Sequence, residues 1–185
     1  MSANTQSPDL VWMDLEMTGL DPERERIIEI ASIITDSDLN VIAEGPVLAI
    51  KQTQQFFQGM DEWNQQHHSA SGLIDRIKHE GVIEREAEAS TLAFIERYVE
   101  KYTAPLCGNT IWQDRRFLTR YMPTLESYLH YRMIDVSSIK ELAYRWRVDI
   151  AESFSKNNEH TALADVRESI AELRHYRDHF FNLTP

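Results

Sequence analysis

Residues 10–20 read Leu-Val-Trp-Met-Asp-Leu-Glu-Met-Thr-Gly-Leu, an apolar run that ends in two acids and a glycine. Apolar strand-forming residues followed by a glycine turn predict a buried β-strand. Asp14 and Glu16 are two residues apart, so both side chains lie on one face of an extended strand. Two buried like charges are costly unless a cation lies between them, and Mg2+ prefers carboxylate oxygens. The stretch is compatible with a metal site, but this spacing alone favours the alternative, an ordinary amphipathic strand whose acids face water.

The composition is typical of a globular chain with enough material for one sizeable core. The 185 residues are 42% hydrophobic and 10% aromatic, which favours a folded domain over a disordered chain. We expect a loosely ordered N-terminus at 1–9, a single domain at 10–181 and a short tail at 182–185. Cys107 is the one cysteine, which excludes an internal disulfide and a cysteine-based zinc site and suits a reducing cytoplasm.

The charge and hydropathy of the chain limit the kinds of partner that it could bind. A net charge of −11 argues against tight wrapping of long double-stranded nucleic acid, because that affinity comes from basic surface that releases counterions. A short nucleic-acid substrate held by metal ions is compatible with this charge. No apolar run in the sequence approaches the length of a membrane span, and residues 1–9 lack the basic and apolar pattern of a signal peptide. We therefore expect a cytoplasmic protein without membrane contact.

The order of the predicted elements indicates the fold class. After the opening strand, strands are predicted at 27–35 and 41–50, and the short connections make the first three strands antiparallel neighbours. The remaining chain alternates helices at 60–68, 73–79, 83–102, 113–121, 137–146 and 161–181 with strands at 105–108 and 131–136 and a polar loop at 149–158. This order predicts an α/β fold with a mixed five-stranded sheet flanked by helices.

Further acids and a histidine stand at predicted element boundaries. Asp114 opens a helix after a strand and a turn, and Asp165 lies in the first turns of the last helix. His160 precedes Asp165 by five residues, a spacing that does not share one helical face, so we expect it at the mouth of that helix or in the preceding loop. Together with Asp14 and Glu16 these residues could form a two-metal phosphodiester hydrolase site. A surface histidine at a helix start is the alternative for His160.

Four segments of the chain resemble motifs of a known family. They are Asp-Leu-Glu-Met-Thr-Gly at 14–19, Gly-Asn-Thr-Ile-Trp-Gln-Asp-Arg-Arg-Phe-Leu at 108–118, His-Tyr-Arg-Met-Ile-Asp-Val-Ser at 130–137 and His-Thr-Ala-Leu-Ala-Asp-Val-Arg-Glu-Ser-Ile at 160–170. In this order, and over nearly the whole chain, they resemble the oligoribonuclease family of the DEDDh exonuclease superfamily. The resemblance implies a ribonuclease-H-like fold, a homodimer, and 3′-to-5′ removal of mononucleotides from RNA as short as dinucleotides.

The resemblance also implies a chemical role for five residues. Asp14, Glu16, Asp114 and Asp165 would hold two divalent ions, Mg2+ or Mn2+. His160 would be the general base, because an unperturbed imidazole has a pKa of about 6.5 and can accept a proton from water near neutral pH. In such a site one ion lowers the pKa of the attacking water and the other stabilises the leaving 3′ oxygen.

The same resemblance assigns residues that would hold the bases of the substrate. Leu20 and Trp63 match the apolar and aromatic side chains against which the family places a base, and stacking of this kind contributes about 1–3 kcal/mol per base. His68 matches a substrate-binding histidine of the family, whereas its neighbour His67 does not. Without the resemblance, Leu20 and Trp63 would be interpreted as ordinary core or surface residues.

A further group of residues would recognise the 5′ end. Thr110, Arg132 and Ser137 match a family cap for a 5′ phosphate, to which the other subunit contributes Tyr131. A guanidinium and hydroxyls suit the doubly charged phosphate. Such a cap would favour dinucleotides and obstruct longer RNA. An acidic protein is consistent with this, because a short substrate needs no long basic surface.

Some positions depart from the family, and two other functions remain open. Thr110 and Trp112 replace a serine and a small residue of the family. Trp112 could pack under the site or add a stacking surface, whereas Trp12 and Trp146 are predicted to lie in the core.

A related DNA-directed 3′ exonuclease would share the acids and the histidine, but not the segments 63–68 and 131–132. A metal-binding or nucleotide-sensing module without turnover is disfavoured because none of the five chemical positions is substituted.

Overall fold

The structure, a computed structural model, describes residues 9–155 and 161–181. The strands are β1 (Leu10–Met17), β2 (Ile27–Thr35), β3 (Val41–Glu44), β4 (Leu48–Ala49), β5 (Leu106–Gly108) and β6 (Met133–Asp135). The helices are α1 (Gln54–Gly59), α2 (Glu62–Ala70), α3 (Leu73–Glu80), α4 (Glu84–Ile95), α5 (Ile111–Tyr121), α6 (Pro123–Glu126), α7 (Val136–Trp146), α8 (Val148–Ser153) and α9 (Ala162–His179). The predicted α/β fold with a mixed sheet flanked by helices is confirmed.

The strand that carries the first two acids lies at the centre of the sheet. The strand order is β3-β2-β1-β5-β6, with β4 also paired to β2. β1 is antiparallel to β2 and parallel to β5. Every residue of β2 is buried, as its run of isoleucines predicts. β5 pairs only with Val11 and Trp12, so the carboxyl end of β1 is held by β2 on one side and extends past β5 on the other.

The predicted third strand at 41–50 is two shorter strands, β3 and β4, both antiparallel to β2. Gly45 lies between them, and a Cβ there would fall 2.5 Å from the Oγ of Ser32 and 2.7 Å from the ring of Phe94. Only glycine allows so close an approach. Pro46 follows and has no N–H to donate to a strand ladder. The described part of the sheet thus has six strands where five were predicted, and the antiparallel order of the first three is confirmed.

Side chains of β1 alternate between two apolar layers on opposite faces of the sheet. Met13 and Leu15 pack with residues of α4 and α5. Trp12 packs on the other face with residues of α7 and α9. By the same alternation, Asp14 and Glu16 lie on the Trp12 face, against which α9 packs.

The long helix predicted at 83–102 ends earlier than expected. It is α4, which ends at Ile95. The backbone N–H groups of Arg97 and Tyr98 donate to the carbonyls of Phe94 and Ile95, three residues back. Such bonds tighten the chain into a final turn and stop the helix.

Two further predictions near the C-terminus are wrong. Within residues 149–155, the polar loop predicted at 149–158 contains most of the short helix α8, because Ile150 and Ala151 are buried against the second apolar layer. Residues 156–158 of that prediction lie outside the described residues. Trp146, predicted to lie in the core, is 66% exposed. It lies on the last turn of α7, beyond the buried Ala143, and its ring is 6.3 Å from that of Phe180.

The predicted terminal segments at 1–9 and 182–185 fall, apart from Asp9, outside the described residues. Among the helices of the described ranges, none combines the length and the apolar character that crossing a bilayer requires.

Candidate active site

Three carboxylates meet at the end of β1: those of Asp14, Glu16 and Asp165. One oxygen of each lies within 4.8 Å of the other two. Asp14 and Glu16 come from one face of β1, and Asp165 comes from the first turn of α9, which covers that face. The backbone N–H of Asp165 donates to the carbonyl of Thr161 at 3.0 Å, so a formed helical turn carries the third carboxylate. The structure therefore brings together three of the four acids that the sequence singles out.

The fourth acid, Asp114, reaches the same strand from the first turn of α5. Its Oδ1 accepts a hydrogen bond from the backbone N–H of Leu15 at 3.0 Å. Leu15 lies between Asp14 and Glu16, and the side chain of Asp114 is buried. All four predicted acids thus lie at the carboxyl end of one central strand.

The crowding of these acids perturbs their protonation. Burial, followed by the charges of Asp114, Glu16 and Asp165, raises the pKa of Asp14 well above its ordinary value. Burial and the neighbouring charges raise the pKa of Glu16 to about 8. Burial also raises the pKa of Asp114 to about 7. In the protein without metal, full ionisation of these carboxyls is therefore unfavourable in the folded state.

The cluster fits divalent cations of the hard class. Mg2+ and Mn2+ are bound in proteins by carboxylate oxygens, and here such oxygens are gathered within a few ångströms on two rigid elements. A bound cation would also compensate the repulsion that raises the pKa of Glu16. The donor set supports divalent metal binding.

A buried acid that was not among the predicted site residues fixes the start of α9. Thr161 precedes the helix without a side-chain cap. Instead, Glu29 of β2 accepts the backbone N–H of Ala162 at 3.0 Å, and its other oxygen pairs with Arg76. Glu29 is opposite Glu16 in the β1–β2 register. The signal for it was available in the sequence, as the one charged residue within the isoleucine-rich strand at 27–35.

His68 lies beside the acid cluster, and its neighbour His67 contacts Trp63. The buried Nε2 of His68 donates to the carbonyl of Met17 at 3.1 Å, and Nδ1 lies 3.9 Å from a carboxylate oxygen of Glu16. Burial lowers the pKa of His68, which favours the neutral ring. The ring of His67 stacks on Trp63 with 4.0 Å between ring centroids.

Leu20 and Trp63 line one groove next to the end of β1. The groove has a volume of about 640 Å³ and also contains Thr18 and Asp61. Leu20 is 73% exposed and Trp63 is 59% exposed, so neither is a core residue. The amide of Gln113 donates to the carbonyl of Leu20 and supports the loop that carries it. Both apolar side chains are therefore available to a ligand in this groove.

The predicted cap residues occupy two places. The hydroxyls of Thr110 and Ser137 are 3.0 Å apart at the ends of β5 and β6, where Asp135 also accepts the backbone N–H groups of both. The Nε of Arg132 lies at the other end of β6 and donates to the hydroxyl of Tyr131 at 3.1 Å. Tyr131 is 72% exposed. The predicted cap residues therefore form two hydrogen-bonded pairs, Thr110 with Ser137 and Arg132 with Tyr131.

Two remaining predictions concern His160 and Trp112. His160 lies outside the described residues. Trp112 is about half exposed, with the guanidinium carbon of Arg116 5.6 Å from its ring centroid. Trp112 therefore presents a ring to solvent from the first turn of α5.

The fold and the acid cluster define the class of protein. The profile of the Exonuclease family matches residues 11–173. Escherichia coli exonuclease I in complex with a dT13 oligonucleotide aligns with 92% of this chain and 41% of its own, at 20% identity and a TM-score of 0.71. Exonuclease I from Methylocaldum szegediense aligns with 93% of this chain and 41% of its own, at 22% identity and a TM-score of 0.67. This chain thus has an exonuclease fold that spans less than half of those longer chains.

Curated relatives narrow the class further. The oligoribonuclease of Pseudomonas aeruginosa is 61% identical over 179 residues, which are 96% of this chain and 99% of the relative. The oligoribonuclease of Alcanivorax borkumensis is 59% identical over 94% of this chain and 96% of its own. The chain therefore belongs to the oligoribonuclease family of exonucleases. The predicted family, and with it the prediction of an exoribonuclease, is confirmed.

Proposed function

We propose that the protein removes mononucleotides from the 3′ end of very short RNA, down to dinucleotides, by two-metal-ion phosphodiester hydrolysis. The observation that carries this proposal is the convergence of Asp14, Glu16 and Asp165 within 4.8 Å, with Asp114 bonded to the same strand. The names of the relatives support RNA as the substrate. An acidic chain of net charge −11 supports a short substrate, because a long one would need a basic track.

The four acids are the proposed ligands of two Mg2+ or Mn2+ ions. Bound there, such ions would activate the attacking water and stabilise the leaving oxygen. Asp14 and Glu16 are held by pairing with β2, opposite Ala31 and Glu29, and Asp165 is held by a helical turn. The hydrogen bond from Leu15 fixes the Asp114 carboxylate without using its second oxygen. These contacts pre-position the ligands, which limits reorganisation when charge develops at the phosphate.

Proton transfer is assigned to His160, which we propose as the general base on the resemblance alone, because it lies outside the described residues. His68 has a different role. Its Nε2 donates to the Met17 carbonyl, and burial lowers the pKa of the ring and favours its neutral form. In that form Nδ1 is an acceptor, and it lies 3.9 Å from Glu16 of the acid cluster. We propose that His68 orients the substrate beside Glu16.

The groove between Leu20 and Trp63 is the proposed site for a base at the 3′ end. An exposed indole and an exposed leucine on opposite segments of one groove can hold a base between them. Contacts to the face of a base do not depend on its identity, so this grip would accept any of the four nucleotides.

The 5′ end is the proposed ligand of Thr110, Ser137 and Arg132, with Tyr131 of the partner subunit completing the site in a homodimer. The paired hydroxyls of Thr110 and Ser137 support this assignment, as does the exposure of Tyr131 on a segment that could meet a second copy. A cap of this kind would favour a dinucleotide over a longer chain. Size-exclusion chromatography with light scattering tests the homodimer.

The decisive experiment measures nucleotide release from pApA, from 5′-phosphorylated tri- to heptaribonucleotides and from a 30-mer of single-stranded DNA. Each is measured with Mn2+ and with a chelator. We expect metal-dependent release that is fastest on pApA. Faster degradation of the DNA would favour the related DNA exonuclease, and no release in excess Mn2+ would favour a binding module.

We also propose that the protein acts in the cytoplasm. Cys107 is a buried free cysteine, and burial raises the pKa of its thiol above the ordinary value. A free thiol in this state is compatible with a reducing compartment.

A further inference from the structure

Arg115, the residue after Asp114, has a role that the acid cluster does not explain. Its guanidinium is largely buried, with 16% of the side chain exposed. Nη1 donates to the carbonyls of His130 and Tyr131, at 3.1 and 3.0 Å. Nε and Nη2 lie 2.9 and 2.8 Å from the same carboxylate oxygen of Glu126. A single side chain from α5 thus binds two consecutive backbone carbonyls.

Those carbonyls belong to the segment 130–132, which lies between α6 and β6 and is not part of a helix or strand. At its N-terminal end the backbone N–H of His130 donates to the carbonyl of Ala104 at 2.9 Å, which attaches the segment to the residues just before β5. The backbone N–H of Arg132 turns back to Nδ1 of His130 at 3.1 Å. Because the segment has no strand ladder of its own, the Arg115 contacts are the bonds that hold its carbonyls against α5.

We propose that Arg115 is a positioning residue that holds the segment 130–132 at a fixed distance from the acid cluster. It thereby sets the length of substrate that fits between the two, and this inference rests on the proposed function. Asp114 and Arg115 are consecutive residues of one helix, one bonded to β1 and the other to the segment. A rigid helix therefore connects the proposed scissile-bond site to Arg132 of the same chain, and the same contacts hold Tyr131 where it would serve the site of the other subunit.

Arginine suits this task because its planar guanidinium carries five donors in a fixed arrangement. Lysine keeps the positive charge, but a single ammonium cannot reproduce two carbonyl contacts and a carboxylate contact in that plane. Substitution of Arg115 by lysine should therefore release the segment while retaining the charge of α5. Glu126→Gln should weaken the ion pair and leave both carbonyl contacts in place.

The test compares wild type, Arg115→Lys, Glu126→Gln and Arg120→Lys on three substrates. Arg120 is a matched control on the same helix, because it forms an exposed ion pair with Glu23. The substrates are pApA, a 5′-phosphorylated pentaribonucleotide and the p-nitrophenyl ester of thymidine 5′-phosphate. The ester has one nucleotide and does not reach the cap, so it reports on the acid cluster alone.

For Arg115→Lys we expect KM for pApA to rise about tenfold, as for a misplaced binding group, with the preference for pApA over the pentamer lost and ester hydrolysis unchanged. Glu126→Gln and Arg120→Lys should keep the preference. Equal losses on pApA and the ester would show that Arg115 only supports the fold and would overturn the inference, as would an unchanged preference. If wild type itself shows no preference for pApA, the proposed function fails instead, before any variant is compared.

Discussion

The carboxylate of Asp114 accepts the backbone N–H of Leu15 at 3.0 Å, across 99 positions of sequence. Leu15 is the residue between Asp14 and Glu16, so this bond attaches α5 to the point where two acids of the cluster leave the strand. The bond needs only an acceptor oxygen, whereas metal binding needs the negative charge. The observed hydrogen bond of Asp114 and its proposed role in metal binding can therefore be separated by substitution.

Asp114→Asn should retain the fold and lose activity, because the amide oxygen can still accept from Leu15. We expect nucleotide release from pApA in saturating Mn2+ to fall by at least about 100-fold, the scale for loss of one electrostatic catalytic group. The melting temperature in chelator should not decrease. Activity within a few-fold of wild type would contradict a role for Asp114 in metal binding.

The stability of the metal-free protein should fall as the pH rises from about 4 to about 8. The carboxyl of Glu16 loses its proton near pH 4.3 in the unfolded chain, but its pKa in the folded chain is about 8. Between these values the folded state binds more protons than the unfolded state, so stability decreases with pH. Below this window both states are protonated and the penalty is absent. Melting in chelator at pH 5.5 and pH 8.0 measures the effect.

Glu16→Gln is the control for this pH dependence, since glutamine cannot ionise. In chelator at pH 8.0 we expect the variant to melt above wild type by roughly 2–4 °C, the shift that 1 kcal/mol gives in a chain of this size. Mn2+ should raise the melting temperature of wild type more at pH 8.0 than at pH 5.5. If Mn2+ raised the melting temperature equally at pH 5.5 and pH 8.0, repulsion between the acids would not be what destabilises the metal-free protein.

Trp63→Ala should weaken substrate binding without destabilising the fold. The indole is 59% exposed in the groove that it shares with Leu20, and loss of one stacking contact corresponds to about a tenfold rise in KM. The Michaelis constant for pApA measures the effect, and Trp63→Phe should restore most of the affinity. Trp146→Ala is the matched control, since Trp146 is 66% exposed outside the groove. A similar KM for both alanine variants would argue against the groove as the base site.

Glu29→Ala should destabilise the protein far more than Glu29→Gln. Alanine leaves the buried N–H of Ala162 without its acceptor and removes one of the two carboxylate partners of Arg76, the other being Glu80. A buried unsatisfied group costs about 1–3 kcal/mol. Glutamine retains an acceptor oxygen for Ala162, and Arg76 is one-third exposed, so its charge can be hydrated. Urea denaturation in chelator gives the free energy of unfolding of each variant. Equal losses for the two substitutions would indicate that the charge, and not the cap on α9, is what Glu29 provides.

Local pattern was sufficient for much of the fold. The apolar runs at 10–20 and 27–35 predicted β1 and β2, and the helix predicted at 60–68 corresponds to α2. The division of the third strand was missed because it depends on how closely Gly45 approaches Ser32 and Phe94. Such an approach is a property of packing, which a strand-like composition does not reveal.

The site divides in the same way. Period-two alternation in a strand is local, so the sequence alone determined that Asp14 and Glu16 share a face. Family motifs then singled out Asp114 and Asp165 as their partners. Neither argument could show that α9 covers the face of β1 that carries Asp14 and Glu16. Nor could either show that Glu29 of β2 would accept the first N–H of α9.

What the sequence by itself determined is therefore which acids stand at the end of β1 and in the first turns of α5 and α9. Only the tertiary structure decided how they are held: the Leu15 bond to Asp114, the Glu29 cap on α9 and the Arg115 contacts with segment 130–132. Each of these contacts joins elements that meet only when helices pack on the sheet, and Arg115 reaches backbone carbonyls, which every residue possesses. A contact to backbone leaves no mark in the residue types of the segment it binds, which is the physical reason that only the folded chain shows it.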